Sequence, residues 1–331
     1  MHRNGLAAWA ALLTGTLVGT LIGCSPGGAG QAVPVAATAS APSSGEASAS
    51  APDEEVSVDR DDALAKALKP LLPDGDARVS VAVAALDGAT DGAVYDGTSA
   101  FDTASIVKVD ILAALLLRAQ DAGRALTPQE RAYATAMIEN SDNASATALW
   151  EAIGGADGLD AANQTLGLTG TRAGAGGEWG LTQTTAEDQL TLLRAVFGTE
   201  SAEGAEDAEG AESAESAESA ESAESAESAE SADSGLSEAS RAYVAGLMER
   251  IASDQRWGVS AAADSASVCA LKNGWLPRSA TGLWDINSVG RVSVGGKRYL
   301  VSVLSDGNTT KEAGVALVEG AAKAAVAVLT G

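Results

Sequence analysis

A hydroxyl and an amine lie one helical turn apart in the segment Ser105-Ile106-Val107-Lys108. A serine side chain becomes a useful nucleophile when a neighbouring lysine, histidine or carboxylate accepts its proton. The chain contains one histidine, His2, which falls within an N-terminal targeting segment. A Ser-His-Asp arrangement is therefore excluded, and the sequence predicts Ser105 as a nucleophile with Lys108 as its proton acceptor.

The surroundings of Lys108 strengthen this prediction. Residues 106–119 are apolar nearly all round, which is typical of a helix buried in a core. Ser105 would stand at the start of that helix, where free backbone N–H groups and the positive end of the dipole stabilise an oxyanion. Burial disfavours the charged form of a lysine, so Lys108 is expected to be a usable base.

Two further polar motifs follow in order along the chain. Ser141-Asp142-Asn143 falls in a break between predicted helices, and Lys272-Asn273-Gly274 stands at the end of a predicted strand. Each alone is also compatible with a structural role, the first as a turn with a helix cap and the second as a strand end entering a turn. Together with S-x-x-K, the ordered triple resembles the S-D-N and K-T-G signatures of the serine β-lactamase and penicillin-binding-protein superfamily, specifically its class A β-lactamase-like members. The resemblance covers residues 78–329 and is interrupted by an acidic insert.

The resemblance implies catalytic roles for three residues. Ser105 would be the acylated nucleophile and Lys108 its base or proton relay. Ser141 would pass protons to the departing group.

It also implies a substrate-binding set. Asn143 would bind the amide side chain of the substrate and Lys272 would attract its carboxylate. The backbone N–H groups of Ser105 and Trp275 would form the oxyanion hole, while Gly274 would keep the strand edge open to the substrate.

Three departures from the family pattern argue against efficient hydrolysis of common penicillins. Class A β-lactamases carry E-x-x-L-N in a long loop, whereas residues 178–182 read Glu-Trp-Gly-Leu-Thr in a shorter one. Glu178 is either the base that releases the acyl group or a surface acid in a Gly-rich turn. Asn273 replaces a hydroxyl residue that the family aims at the substrate carboxylate, and Trp275 narrows the site.

The first 24 residues predict export. A short cationic start precedes an apolar stretch that ends in Leu21-Ile22-Gly23-Cys24, which resembles a bacterial lipobox. Lipidation of Cys24 would hold the protein on the outer face of the cytoplasmic membrane; an uncleaved transmembrane helix or a plain secretory peptide are the alternatives. Residues 25–59 are rich in Ala, Ser, Pro and Gly and predict a disordered tether.

An acidic insert at residues 199–235 repeats Ala-Glu-Ser and contains thirteen acidic side chains and no basic one. Without it the formal net charge changes from −24 to −11. Like charges three residues apart repel on a helix, which favours a disordered loop over an isolated helix. This acidity argues against nucleic-acid binding. Two cysteines and His2 supply no zinc site of the usual kind, so we expect neither a metal nor a cofactor. Separately, we expect the protein to be a monomer.

The order of elements predicts an α+β fold for residues 60–331. Alternation in residues 78–86 predicts a strand near the N-terminal end, and further strand patterns occur near the C-terminal end. Helical patterns fill residues 126–260; among them, Thr127 with Glu130 forms a capping-box pattern that predicts a helix to about Glu139. This order predicts one antiparallel sheet built from both chain ends, flanked by helices, with an inserted all-helical lobe. The predicted function is a serine acyl-transfer hydrolase that attacks an amide or ester carbonyl, with a β-lactam as its small-molecule substrate. The alternatives are a cell-wall D,D-peptidase or esterase and a non-hydrolytic protein that binds β-lactams or cell-wall fragments.

Overall fold

The computed structural model describes residues 59–73, 75–86, 92–198, 235–265 and 267–331. The predicted signal segment, nearly all of the tether and nearly all of the acidic insert lie outside these ranges. The α-helices of the described residues are α1 (Arg60–Leu68), α2 (Val107–Asp121), α3 (Pro128–Glu139), α4 (Asn143–Ile153), α5 (Gly155–Thr165), α6 (Ala186–Phe197), α7 (Glu238–Glu249) and α8 (Lys311–Thr330). The strands are β1 (Arg78–Ala85), β2 (Gly92–Tyr95), β3 (Phe101–Asp102), β4 (Gln183–Thr184), β5 (Ala270–Pro277), β6 (Trp284–Val294) and β7 (Lys297–Asn308).

The main sheet joins the two ends of the chain. Its strands follow the order β2-β1-β7-β6-β5, and every neighbouring pair is antiparallel. The N-terminal strand β1 pairs along its whole length with β7, for example Val81 opposite Val303. The predicted α+β fold, with an antiparallel sheet built from both ends, is confirmed.

Side chains that alternate along β1 and β7 pack into two hydrophobic cores, one on each face of the sheet. Val81 and Val83 belong to a cluster with Leu64 of α1 and Val318 of α8. The intervening Ala82 belongs to a second cluster, which includes much of α2 and α6. Because successive side chains of a strand point to opposite faces, helices cover both sides of the sheet.

Helix α8 completes one of these layers. By length and composition it is the one described helix that would suffice to cross a membrane. Leu317, Val318, Ala321 and Ala325 on its inner side are buried in the cluster that covers the sheet. Its apolar composition is therefore accounted for by packing on the sheet.

Local signals predicted most helices closely but missed α1. The capping box at Thr127 begins α3, with Thr127 Oγ1 accepting from Glu130 N and Glu130 Oε2 accepting from Thr127 N. Helix α1 was not predicted; Asp59 caps its first turn, and it buries only Leu64 and Leu68 against the sheet and α8. Two buried positions in nine residues are a weak pattern in sequence.

One strand boundary was wrong at a functional motif. The sequence predicts that Lys272-Asn273-Gly274 ends a strand, whereas β5 continues to Pro277 and Gly274 pairs with Asn287 of β6. Asn-Gly is a turn signal in isolation, but the ladder with β6 overrides it. The motif therefore lies in the middle of an edge strand of the main sheet.

Candidate active site

Ser105 lies in a tight turn that leads into α2. Residues Ala104–Ile106 form a 3₁₀ turn, and the α-helix begins two residues after Ser105, at Val107. Ala104 adopts φ 47°, a left-handed conformation that is uncommon for a residue with a side chain. The turn leaves Ser105 half-buried in the wall of a cavity of about 260 Å³.

Gly274 packs directly on this turn. A Cβ atom at Gly274 would lie 2.7 Å from Thr103 O and 2.8 Å from Ser105 N. Any side chain there would push the Ser105 turn away from β5. The sequence attributed the glycine to an open edge for the substrate; the structure gives a different reason, the close approach of two backbones.

Lys108 is fully buried one turn after Ser105, and its ammonium is surrounded by oxygen atoms. Its Nζ donates to Ser141 O at 2.7 Å, to Ser141 Oγ at 3.2 Å and to Asn143 Oδ1 at 2.8 Å. Burial lowers the pKa of Lys108 from 10.5 to about 8, against the opposing pull of the Asp142 charge. A substantial fraction of Lys108 is therefore neutral near physiological pH and able to accept a proton.

Lys272 approaches the same hydroxyl from β5. Its Nζ lies 3.0 Å from Ser141 Oγ and donates to Asn273 O at 2.9 Å, with the side chain fully buried. Burial, and after it the Lys108 charge, lowers the pKa of Lys272 well below its usual value. Ser141 Oγ thus bridges the amines of Lys108 and Lys272 and links the helical part of the molecule to the sheet.

The geometry of the Ser141 turn depends on Asp142. Ser141 has φ 57°, and Asp142 caps α4 by accepting a hydrogen bond from Ser145 N at 2.7 Å. Asn143 is the first residue of α4; it is exposed and lines the cavity beside Ser105. The motif at residues 141–143 therefore caps a helix, as its structural interpretation predicts, and also contacts Lys108.

On β5, residues 273 and 275 face away from Lys272. Asn273 is buried, and its Nδ2 donates to Gln255 O at 2.7 Å and to Trp257 O at 3.2 Å. Trp275 lines the cavity, and its ring packs 6.0 Å from that of Trp257, with Lys311 Nζ 4.3 Å from its centroid. Asn273 therefore holds neighbouring backbone rather than reaching the cavity.

Glu178 and Trp179 lie in a loop that Arg172 and Gln183 close with a pair of backbone hydrogen bonds of 2.8 and 2.9 Å. Glu178 is exposed in the cavity wall, and its carboxylate has no hydrogen-bond or ion-pair partner among the described residues. Trp179 is half-buried; its ring centroid lies 5.0 Å from Lys108 Nζ and its Nε1 donates to Thr147 Oγ1 at 3.2 Å. Sequence reasoning assigned Trp179 no role, although its place next to Glu178 in a Gly-rich loop was a signal.

One buried acid, Asp110, was also assigned no role from the sequence. Asp110 lies on α2 two residues after Lys108, is 1% exposed, and accepts from Gln189 Nε2 of α6 at 3.3 Å. Burial is the largest of the causes that together raise the pKa of Asp110 to about 7; the Asp188 charge acts in the same direction, and the hydrogen bond from Gln189 opposes it. Apart from such isolated acids, the described residues contain no cluster of ligands suited to a metal ion.

Comparison with known protein sequences gives one family match. A family model described as "Beta-lactamase enzyme family" matches residues 127–329, a segment that begins after Lys108. No curated protein sequence matches the chain.

Solved structures are similar over most of the described chain. A class A β-lactamase from Bacteroides cellulosilyticus has a TM-score of 0.62 and 17% identity, covering 82% of this chain and 98% of its own. TLA-1 extended-spectrum β-lactamase has a TM-score of 0.64 and 14% identity over 82% and 100%. A point mutant of PBP-A, solved as an acyl-enzyme complex with penicillin G, has a TM-score of 0.59 and 18% identity over 80% and 94%. At these identities the similarity shows the predicted class A β-lactamase-like fold.

Proposed function

Because the chain belongs to the β-lactamase enzyme family, we propose that it is a serine acyl-transfer hydrolase that attacks the carbonyl of a β-lactam through Ser105. One observation carries the proposal. The hydroxyl of Ser141 lies 3.2 Å from Lys108 Nζ and 3.0 Å from Lys272 Nζ, beside the cavity that Ser105 lines. These contacts form a path for protons among Lys108, Ser141 and Lys272. Ser105 Oγ has no hydrogen bond to it among the described residues, and we propose that Ser105 joins the path when a substrate binds.

The first chemical step follows from this path. Neutral Lys108 accepts the proton of Ser105 as Ser105 Oγ bonds to the carbonyl carbon, and the backbone N–H groups of Ser105 and Trp275 stabilise the oxyanion. The C–N bond of the ring then breaks, and its nitrogen takes a proton from Ser141 Oγ, which regains one from Lys108. The product is an ester of Ser105. Asn143 would hold the substrate amide. Protonated Lys272 would attract a substrate carboxylate, and the charge of a bound carboxylate would oppose the lowering of the Lys272 pKa.

Release of the acyl group requires water. Water attacks the ester carbon, the bond to Ser105 Oγ breaks, and Ser105 regains a proton. Among the described residues that line the cavity, Glu178 is the one with a carboxylate, so we propose it as the base for this step. Glu178→Gln should slow release; release at the parental rate would exclude Glu178 from this role.

The second candidate is a penicillin-binding or D,D-peptidase activity, in which the acyl-enzyme persists on β-lactams. Two observations favour it. Among the described residues Lys108 has no ion-pair partner, and none of them holds the Glu178 carboxylate, so no base is fixed in position to activate water at an acylated Ser105. The PBP-A mutant with this fold was solved as an acyl-enzyme with penicillin G, which is a precedent for that intermediate.

A chromogenic cephalosporin assay paired with intact-mass measurement tests the proposal. Fast turnover supports a β-lactamase, and a lasting adduct supports the penicillin-binding activity. Neither signal supports a non-hydrolytic binder or a different hydrolase. Ser105→Ala should abolish both signals with the thermal unfolding midpoint unchanged; a mutant that still forms the adduct would disprove the assigned nucleophile.

We also propose that Cys24 is lipidated and that the protein is a monomer on the outer face of the cytoplasmic membrane. The support for the lipid anchor is the Leu-Ile-Gly-Cys motif after an apolar stretch, which lies outside the described residues. Metabolic labelling with a fatty acid should mark the parent chain and not Cys24→Ala, and the variant should leave the membrane fraction. Equal labelling of the two chains would exclude Cys24 as the attachment site.

A further inference from the structure

Lys108 is enclosed by two kinds of group. On one side, Ser141 O, Ser141 Oγ and Asn143 Oδ1 accept the three hydrogens of its ammonium. On another side lies the Trp179 ring, with its centroid 5.0 Å from Nζ. The face of an indole ring cannot accept a proton from water. A water molecule between Lys108 and the ring would therefore have no group on the ring side to deprotonate it.

The Trp179 ring is held in place from three directions. Its Nε1 donates to Thr147 Oγ1 of α4, and the ring packs against the core cluster that contains α2. The backbone bonds between Arg172 and Gln183 close the loop beneath it. The ring is thus a fixed part of the cavity wall that contains Ser105 and Asn143.

We propose that Trp179 is a positioning residue that keeps water from Lys108 and from acylated Ser105, and so sets how long the acyl-enzyme lasts. The inference rests on the proposed function, because it requires an acyl group on Ser105. During acylation, Trp179 acts through Lys108, because the ring keeps the amine of Lys108 desolvated. In the second step it acts by occupying space from which water would attack the ester carbon.

The charges around Lys108 make the effect measurable as a pH profile. They are Lys272 on β5 and Asp142 before α4. Glu178, next to Trp179 in the loop, lines the adjoining cavity. Burial is the largest cause of the lowered pKa of Lys108, about 8, and the ring contributes to that burial. Attraction between a cation and a ring raises a lysine pKa by less than about one unit, so loss of the ring should act mainly by admitting water. Trp179→Ala should therefore raise the pH midpoint of acylation.

The experiment compares Trp179→Ala, Trp179→Phe and the parent as full chains, with penicillin G as the probe. Intact mass gives the lifetime of the adduct. Samples quenched at set times from pH 6 to 10 give the acylation rate, and the pH dependence of that rate gives its midpoint. Trp179→Ala should shorten the lifetime at least about tenfold, because an admitted water gains general-base catalysis, and should move the midpoint upward. Trp179→Phe keeps a ring and should stay close to the parent in both readouts.

Trp284→Phe is the matched control, because Trp284 packs against the cluster on the α8 side of the sheet. It should leave lifetime and midpoint unchanged. If Trp179→Ala unfolds, Trp179→Leu removes only part of the ring volume, and it should shorten the adduct lifetime and raise the midpoint in the same directions by smaller amounts. An adduct on the parent whose lifetime and midpoint are the same in the Trp179 variants overturns this inference alone. Absence of any Ser105 adduct on the parent overturns the proposed function instead.

Discussion

Asp110→Asn should make the protein more stable at neutral and alkaline pH. Gln189 Nε2 donates to Asp110 Oδ1 at 3.3 Å, while Asp110 Oδ2 and Gln189 Oε1 are both buried without a hydrogen-bond partner among the described residues. A protonated Asp110 pairs both atoms, since Oδ2–H can donate to Gln189 Oε1. An ionised Asp110 leaves both atoms unpaired, with the charge of Asp188 nearby.

The magnitude follows from the pKa difference between the two states. In the folded protein the pKa of Asp110 is about 7, against 3.8 for an ordinary aspartate. The unfolded chain therefore ionises at Asp110 above about pH 4, and the folded chain only above about pH 7. The free energy of unfolding falls as pH rises between these values and is constant above them, a loss of about 4 kcal/mol in all at about 1.4 kcal/mol per unit.

Denaturant unfolding at pH 5 and pH 8 measures this effect. Asparagine keeps the shape and both hydrogen bonds to Gln189 but cannot ionise. We expect the free energy of unfolding of Asp110→Asn to exceed that of the parent by about 4 kcal/mol at pH 8 and by about 1 to 2 kcal/mol at pH 5. Asp254→Asn, at an exposed position, is the control and should differ little at either pH. If the advantage of Asp110→Asn does not grow with pH, Asp110 is not held protonated by burial, and the reasoning fails.

Three further predictions concern the site and its supports. The acylation rate of the parent should rise with pH around a midpoint near 8, because the neutral form of Lys108 is the base; a flat profile from pH 6 to 10 would contradict this role. Gly274→Ala should lower the acylation rate on the order of a hundredfold, since its Cβ would displace Ser105 N, whereas Gly246→Ala in α7 should leave the rate unchanged. Thr127→Ala should lower the free energy of unfolding by about 1 kcal/mol through loss of the α3 cap; an unchanged denaturation midpoint would refute it.

Local patterns predicted the elements that local forces govern. Alternation in residues 78–86 predicted β1, and the Thr127 capping box predicted α3, because each depends on neighbours within a few residues. The three motifs predicted a nucleophile, a proton relay and a cation in chain order. The structure brings the amines of Lys108 and Lys272 to the hydroxyl of Ser141, and the functional roles of these residues stay predictions.

Contacts between distant segments decided the rest. The Asn-Gly pair at 273–274 is a turn signal, but it lies in mid-strand because β6 supplies a ladder that no local pattern reveals. The Trp179 ring over Lys108 and the Gln189 amide against Asp110 join residues more than seventy positions apart. The sequence by itself determined which side chains were available for acyl transfer and which helices and strands would carry them. Only tertiary packing decided which of those side chains are desolvated and which groups they contact. Desolvation and close contact depend on segments that are distant in sequence and meet only in the folded chain.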